Sequence, residues 1–158
     1  MKATMTPRLI IGISGASGVA YGIRALELLR ETEVETHLVL SKSAEMTMGY
    51  EVTMKPGAIR QLADVNYAIG DVGAAISSGS FNTLGMLILP CSIRTMSEIA
   101  TGVTSSLMSR AADVVLKEQR RLVLGVRETP LHTGHLRTMT QLSEIGAIIS
   151  PIVPALYN

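Results

Sequence analysis

Four short polar clusters in this chain each follow an apolar run, and their residue types suit a phosphorylated, hydroxyl-rich ligand. The first is Gly15-Ala16-Ser17-Gly18, which Ser14 joins to the apolar run Leu9 to Ile13. Gly15, Ala16 and Gly18 let the backbone turn tightly and approach a ligand closely. Ser17 adds a hydroxyl at the start of the next helix, suited to capping and to bonding an anion. The free N–H groups of that helix start favour a phosphate over the turn. The other clusters are Ser41-Lys42, Cys91-Ser92 and Arg127-Glu128. No Gly-Lys-Ser/Thr follows the first turn, so it is not a Walker loop. Gly12, Gly15 and Gly18 are spaced three apart, and Ser41 stands where a dinucleotide-binding unit carries an acid. Taken alone, this motif also reads as a glycine-rich strand–helix connection without a ligand.

The elements around these clusters alternate. Leu9 to Ile13 has the composition of a strand covered on both faces. Val19 to Arg30 places Ile23, Leu26 and Leu29 at helical spacing. The pattern then predicts a strand over Glu33 to Leu40, a helix over Ser43 to Tyr50 ending near Glu51, and a helix over Pro56 to Ala63. A polar loop runs from Asn66 to Ser80, followed by a strand over Leu84 to Leu89. Ile93 to Ala100 and Ser106 to Gln119 read as helices, and Arg121 to Val126 as a strand. A helix over His135 to Glu144 and a strand over Ala147 to Val153 close the pattern. The fold class implied is α/β: a Rossmann-like, three-layer αβα arrangement with a mostly parallel central sheet. In such a sheet the four polar clusters lie along one rim, at the carboxyl ends of the strands, where ligands bind. One domain over residues 1–158 is the expected organisation.

Composition narrows the class of function. Charged residues are 17% of the chain and the net charge is +1, which argues against a nucleic-acid face. Hydrophobic residues reach 47%, which suggests surface buried between subunits. The single Cys91 excludes an internal disulfide and fits a reducing cytoplasm. No apolar run has the length of a membrane span. His132 and His135 have the spacing of a metal pair, yet no third ligand follows, so no metal site is expected. Arg110 and Asp113, three apart on one helix, read as a structural ion pair, and Lys117 stands where it too can pair with Asp113. Cys91, between Pro90 and Ser92, reads as a small packed residue, and His37 as a structural group inside a strand.

Further motifs carry a resemblance. They are Ser78-Gly79-Ser80, Pro90-Cys91-Ser92 with Thr95, Arg110-Ala111-Ala112-Asp113-Val114 with Leu116-Lys117-Glu118, Arg127-Glu128 with Pro130, His135-Leu136 and Tyr157. With the opening turn and Ser41-Lys42, they resemble the UbiX/Pad1-type flavin prenyltransferases of the homo-oligomeric flavin-containing Cys decarboxylase superfamily. The order and spacing match from Leu9 to the last residue. Departures are Val126 for the usual Pro, Gly134 for an Ile, Arg137-Thr138-Met139 for Glu-Asn-Met, and Ser105-Ser106 near a usual Asn. The family also continues into a further C-terminal helix that supplies a basic residue, and residues 1–158 do not include it.

The resemblance implies a reaction without a metal. A dimethylallyl group from dimethylallyl phosphate is joined to N5 and C6 of reduced FMN, giving prenylated FMN for a partner decarboxylase. Gly15, Ala16, Ser17, Ser41, Ser92, Ile93, Arg94, Thr95 and Arg127 would hold FMN, with Ser17 near N5. Glu51 would move a proton, and Lys117, Arg127, Glu128 and Tyr157 would surround the prenyl phosphate. The site would lie where subunits meet, commonly in a dodecamer. Two other readings remain beside it: an FMN-binding accessory protein without turnover, and a flavin-dependent cysteine-type decarboxylase.

Overall fold

The computed structural model describes residues 5–153, so Tyr157 lies outside the described residues. Six strands form one sheet: β1 (Arg8–Ile13), β2 (Glu35–Leu40), β3 (Val65–Tyr67), β4 (Gly85–Cys91), β5 (Arg121–Val126) and β6 (Ala147–Ile149). Their order is β3-β2-β1-β4-β5-β6, and every pairing is parallel. The helices are α1 (Val19–Leu29), α2 (Lys42–Glu51), α3 (Pro56–Arg60), α4 (Ile93–Thr101), α5 (Leu107–Lys117) and α6 (Thr133–Glu144).

Alternation along the buried strands sends successive side chains to opposite faces. Ile10, Met86, Ile88, Leu122 and Leu124 join Met96, Leu107 and Leu142 in one core, under α4, α5 and α6. Ile11, Ile13, Leu38 and Leu40 join Val19, Leu26, Met48 and Ile59 in a second, under α1, α2 and α3. Two apolar faces explain why the strand sequences are nearly continuous in hydrophobic residues.

The sequence-derived elements agree closely over β5, and within a few residues elsewhere. Two differ in kind. The stretch expected as a loop holds β3 and a single 3-10 turn at Ala75–Ser77. β3 is anchored by Asp64, whose Oδ2 accepts hydrogen bonds from the Thr36 N–H at 2.8 Å and the Thr36 hydroxyl at 2.9 Å. The last strand ends at Ile149, before Pro151.

The strand order reverses direction between β1 and β4. Regular pairing of these strands ends at Gly12↔Ile88, and a register irregularity falls between Ile88 and Cys91 of β4. The chain ends of β1 and β4 therefore open a crevice at the switch point, the place where open α/β sheets bind ligands.

Candidate active site

Three helix starts meet beside that crevice, and serine caps each. The Ser41 hydroxyl accepts from the Ala44 N–H at 3.0 Å, opening α2. The Ser92 hydroxyl accepts from the Thr95 N–H at 3.2 Å, opening α4. Ser106 and Ser109 cap α5 reciprocally. These starts line a cavity of about 470 Å³ with Lys42, Ser43, Ser105 and Ser106. Helix N-termini aim N–H groups and positive partial charge inward, so this cavity is suited to a phosphate. Lys42 belongs to the Ser41-Lys42 cluster marked from the sequence, whereas Ser43 and Ser106 are lining residues that sequence reasoning missed. The serine-before-helix pattern was the signal available for them.

A second cavity, of about 500 Å³, adjoins it and shares Gly15, Ser92 and Arg94. Ala16, Ser17, Ile93, Arg127, Glu128 and Thr129 complete its lining. Gly15 has a steric reason to be glycine. A Cβ there would lie 2.5 Å from both side-chain atoms of Ser43 and 3.0 Å from its backbone carbon. Arg127 is anchored by its N–H, which donates to the Cys91 carbonyl at 3.1 Å. Its Nε is buried without a partner among the described residues. Buried donors are rarely left unpaired, so this one marks a place for a ligand acceptor.

The expectation that the start of α1 is free for a phosphate is corrected by Glu51. Gly18 is the N-cap residue, at φ 103, and as a glycine it has no side chain with which to cap the helix. Glu51 Oε2, from the end of α2, instead accepts from the N–H of Gly18 at 3.0 Å and of Val19 at 3.3 Å. Partial burial pushes the Glu51 carboxyl up. The Gly18 N–H, the Ser17 hydroxyl, the Val19 N–H and the charge of Arg127 outweigh this and hold it below its ordinary value. Glu51 is therefore ionised at neutral pH and sits beside Ser17. A third cavity, of about 370 Å³, is lined by both residues with Met46 and Tyr50.

Lys117 is not brought to these cavities within one chain. Helix α5 starts at the cavity and runs away from it for 11 residues. At 1.5 Å per residue, that places Lys117 roughly 15 Å away, at the opposite rim. There its ammonium contacts the Glu118 carboxylate, beside Gly79. Glu128 stands at the site with its carboxylate accepting from the Thr129 N–H at 3.1 Å.

The remaining chemical groups have structural employment. Cys91 is fully buried, and burial pushes its thiol up to about 12, so it is no nucleophile at neutral pH. Arg110 bonds Asp113 at 3.0 Å. His37 is held between the Tyr67 hydroxyl at 2.9 Å and Glu35 at 2.7 Å. His132 and His135 cap α6, each Nδ1 accepting the other's N–H. Among the described residues no group of three His, Cys, Asp or Glu is placed to hold a metal, and no helix is long and apolar enough to cross a membrane.

A parallel sheet in this order, with a glycine-turned and serine-capped rim at its switch point, defines a nucleotide-type α/β protein. Comparison with known proteins makes the class specific. Residues 2–157 match the Flavoprotein family. The flavin prenyltransferase UbiX of Escherichia coli (strain K12) is 59% identical over 152 residues, covering 96% of this chain and 80% of the relative. The crystal structure of AnUbiX (PadA1) in complex with FMN and dimethylallyl pyrophosphate superposes with a TM-score of 0.93 at 49% identity, covering 96% of this chain and 80% of that one. A dodecameric FMN-dependent UbiX-like decarboxylase from Escherichia coli O157:H7 gives 0.92 at 47% identity, covering 95% and 82%. The chain belongs to the flavoprotein family and, within it, to the flavin prenyltransferases of the UbiX type.

Proposed function

We propose that this chain, working as one flavoprotein domain, joins the dimethylallyl group of dimethylallyl phosphate to N5 and C6 of reduced FMN. The product, prenylated FMN, would serve a partner decarboxylase. One observation supports this above the rest: an ionised Glu51, fixed on the Gly18 and Val19 amides, stands beside Ser17 at the edge of the cavity that Arg127 and Glu128 line.

FMN suits the two joined cavities. The serine-capped starts of α2, α4 and α5 would take its phosphate, with Ser41, Ser92 and Thr95 nearest. Gly15, Ala16, Ser17, Ile93 and Arg94 would line the ring system, and the unpartnered Nε of Arg127 would find an acceptor there. Bound reduced flavin supplies the electron-rich N5 and C6 that accept the prenyl carbons.

The chain's own groups account for the rest. As the C–O bond to phosphate breaks, negative charge builds on the leaving group, and a guanidinium lining the cavity, that of Arg127, would stabilise it. Ring closure breaks the prenyl double bond: one of its carbons bonds to C6, the other takes up a proton, and the C6 proton is lost. Glu51, as an ionised carboxylate, would receive that C6 proton. Lys117 would serve the site of a neighbouring copy, since its own site is roughly 15 Å distant along α5. That reading calls for a homo-oligomer, and a dodecamer is the assembly proposed. Tyr157 is proposed as a phosphate ligand from sequence alone. A cytoplasmic location agrees with the single unpaired cysteine.

The test is anaerobic. Protein, reduced FMN and dimethylallyl phosphate are mixed, and the released flavin is weighed by mass spectrometry. A gain of one prenyl unit is the expected result. FMN retained unmodified would instead make the chain an accessory flavin-binding protein.

A further inference from the structure

Beyond the last ladder pair of β1 and β4, three hydrogen bonds tie the two strand ends together, and all three belong to Ser14. Its N–H donates to the Pro90 carbonyl at 3.2 Å. Its hydroxyl donates to the same carbonyl at 2.9 Å and accepts from the Ser92 N–H at 2.7 Å. Ser14 is 1% exposed. These bonds stand where the backbone ladder fails: pairing ends at Gly12↔Ile88, β4 is irregular from Ile88 to Cys91, and Pro90 has no N–H to give.

The consequence reaches both sides of the crevice. On one side, Ser14 immediately precedes the Gly15-Ala16-Ser17 turn. On the other, its grip on the Ser92 N–H fixes the peptide whose side chain caps α4 through Thr95. With Ser92 held so, the N–H groups of Ile93 and Arg94 are the first of α4 without an intrahelical partner, and both residues line the cavity.

We propose that Ser14 is a positioning residue for flavin binding: its buried hydroxyl sets the spacing between the Gly15–Ser17 turn and the start of α4. This rests on the flavin reading of the rim. Ser14 touches no ligand in this assignment and acts through Ser92 and Gly15. Removing the hydroxyl leaves the Ser92 N–H without its acceptor, so the α4 start is free to shift against the turn.

The test is a titration of FMN into wild-type protein and into Ser14→Ala and Thr36→Val, with melting temperatures of each. Thr36 is an equally buried hydroxyl, tied to Asp64 at the far rim. Ser14→Ala should raise the FMN dissociation constant about tenfold, in line with the loss of a buried hydrogen-bond partner. It should raise KM for reduced FMN more than KM for the prenyl donor. Thr36→Val should lower the melting temperature without moving FMN affinity. Wild-type affinity in Ser14→Ala overturns the proposal and leaves the flavin reading intact, as does equal weakening by both variants. Failure of the wild type to bind FMN overturns the flavin reading itself. Should Ser14→Ala not fold, Ser14→Cys fills the site with a slightly larger thiol, a weaker donor and acceptor, and so weakens both side-chain bonds. An FMN affinity below wild type then supports the role of Ser14, and an unchanged one overturns it.

Discussion

The Glu51 carboxylate lies 3.0 Å from the Gly18 N–H, so the last residue of α2 caps the first turn of α1 across 33 positions of sequence. A group that would move a proton is thus also the group that holds the glycine turn. Removing it by Glu51→Ala should cost roughly 1 kcal/mol of stability, the usual cost of a lost N-cap. Glu51→Gln keeps an oxygen acceptor and should cost less. Chemical denaturation of the three proteins checks the order.

Glu51 also gives a signed pH dependence. Its carboxyl is held below the ordinary value in the folded chain, so the folded state binds fewer protons than the unfolded one through the acid range. Its stabilising contribution is therefore complete above the ordinary carboxylate range and is lost as pH falls through the folded value. Melting curves of wild type and Glu51→Gln should converge at acid pH and separate toward neutrality. Asp64, lowered chiefly by the Thr36 N–H, is present in both proteins and cancels in the comparison.

Gly15→Ala should weaken FMN binding by tenfold or more, on the order of the strain from forcing an added carbon into a packed contact. Its Cβ would stand 2.5 Å from the Ser43 side chain. Ser43→Gly added to it should recover part of the loss, because it removes both of those atoms. Fluorescence titration of FMN measures each step.

The cavity at the starts of α2, α4 and α5 is assigned to phosphate, so its serines should distinguish FMN from riboflavin. Ser41→Ala should weaken FMN by roughly tenfold, the scale of a hydrogen bond to a charged group, with little effect on riboflavin. Equal losses for both ligands would move the phosphate elsewhere.

Lys117 and Arg127 stand on opposite rims of one chain but are assigned to one site between copies. Lys117→Ala and Arg127→Ala should each abolish most transfer. Randomly mixed oligomers of the two should regain about a quarter of wild-type activity, because a closed assembly then forms some sites from two intact halves. No recovery would place both residues in the same chain's site.

Much of this fold is legible in the sequence because its strands are buried on both faces. Leu9 to Ile13 and Arg121 to Val126 cannot be read otherwise, and polar residues follow each at the carboxyl end. β3 is not legible: it has three residues, one of them Asn66, and depends on a bond between Asp64 and Thr36, 28 positions apart. The same holds within the site. Serines before helices mark Ser41 and Ser92 locally, whereas Glu51 and Ser14 act on partners 33 and 78 positions distant and leave no local pattern. The far position of Lys117 follows from helix length alone once α5 is known to start at the rim.

The most direct measurement follows the hydrogen at C6 of the flavin. Wild type and Glu51→Gln are incubated anaerobically with reduced FMN and dimethylallyl phosphate, and the flavin products are examined by mass spectrometry and proton NMR. Wild type should give a flavin heavier by one prenyl unit that has lost its C6 hydrogen. Glu51→Gln should bind FMN and accumulate a flavin of the same added mass with that hydrogen retained. Ring-closed product from Glu51→Gln at the wild-type rate would contradict the assignment of Glu51 as the proton acceptor.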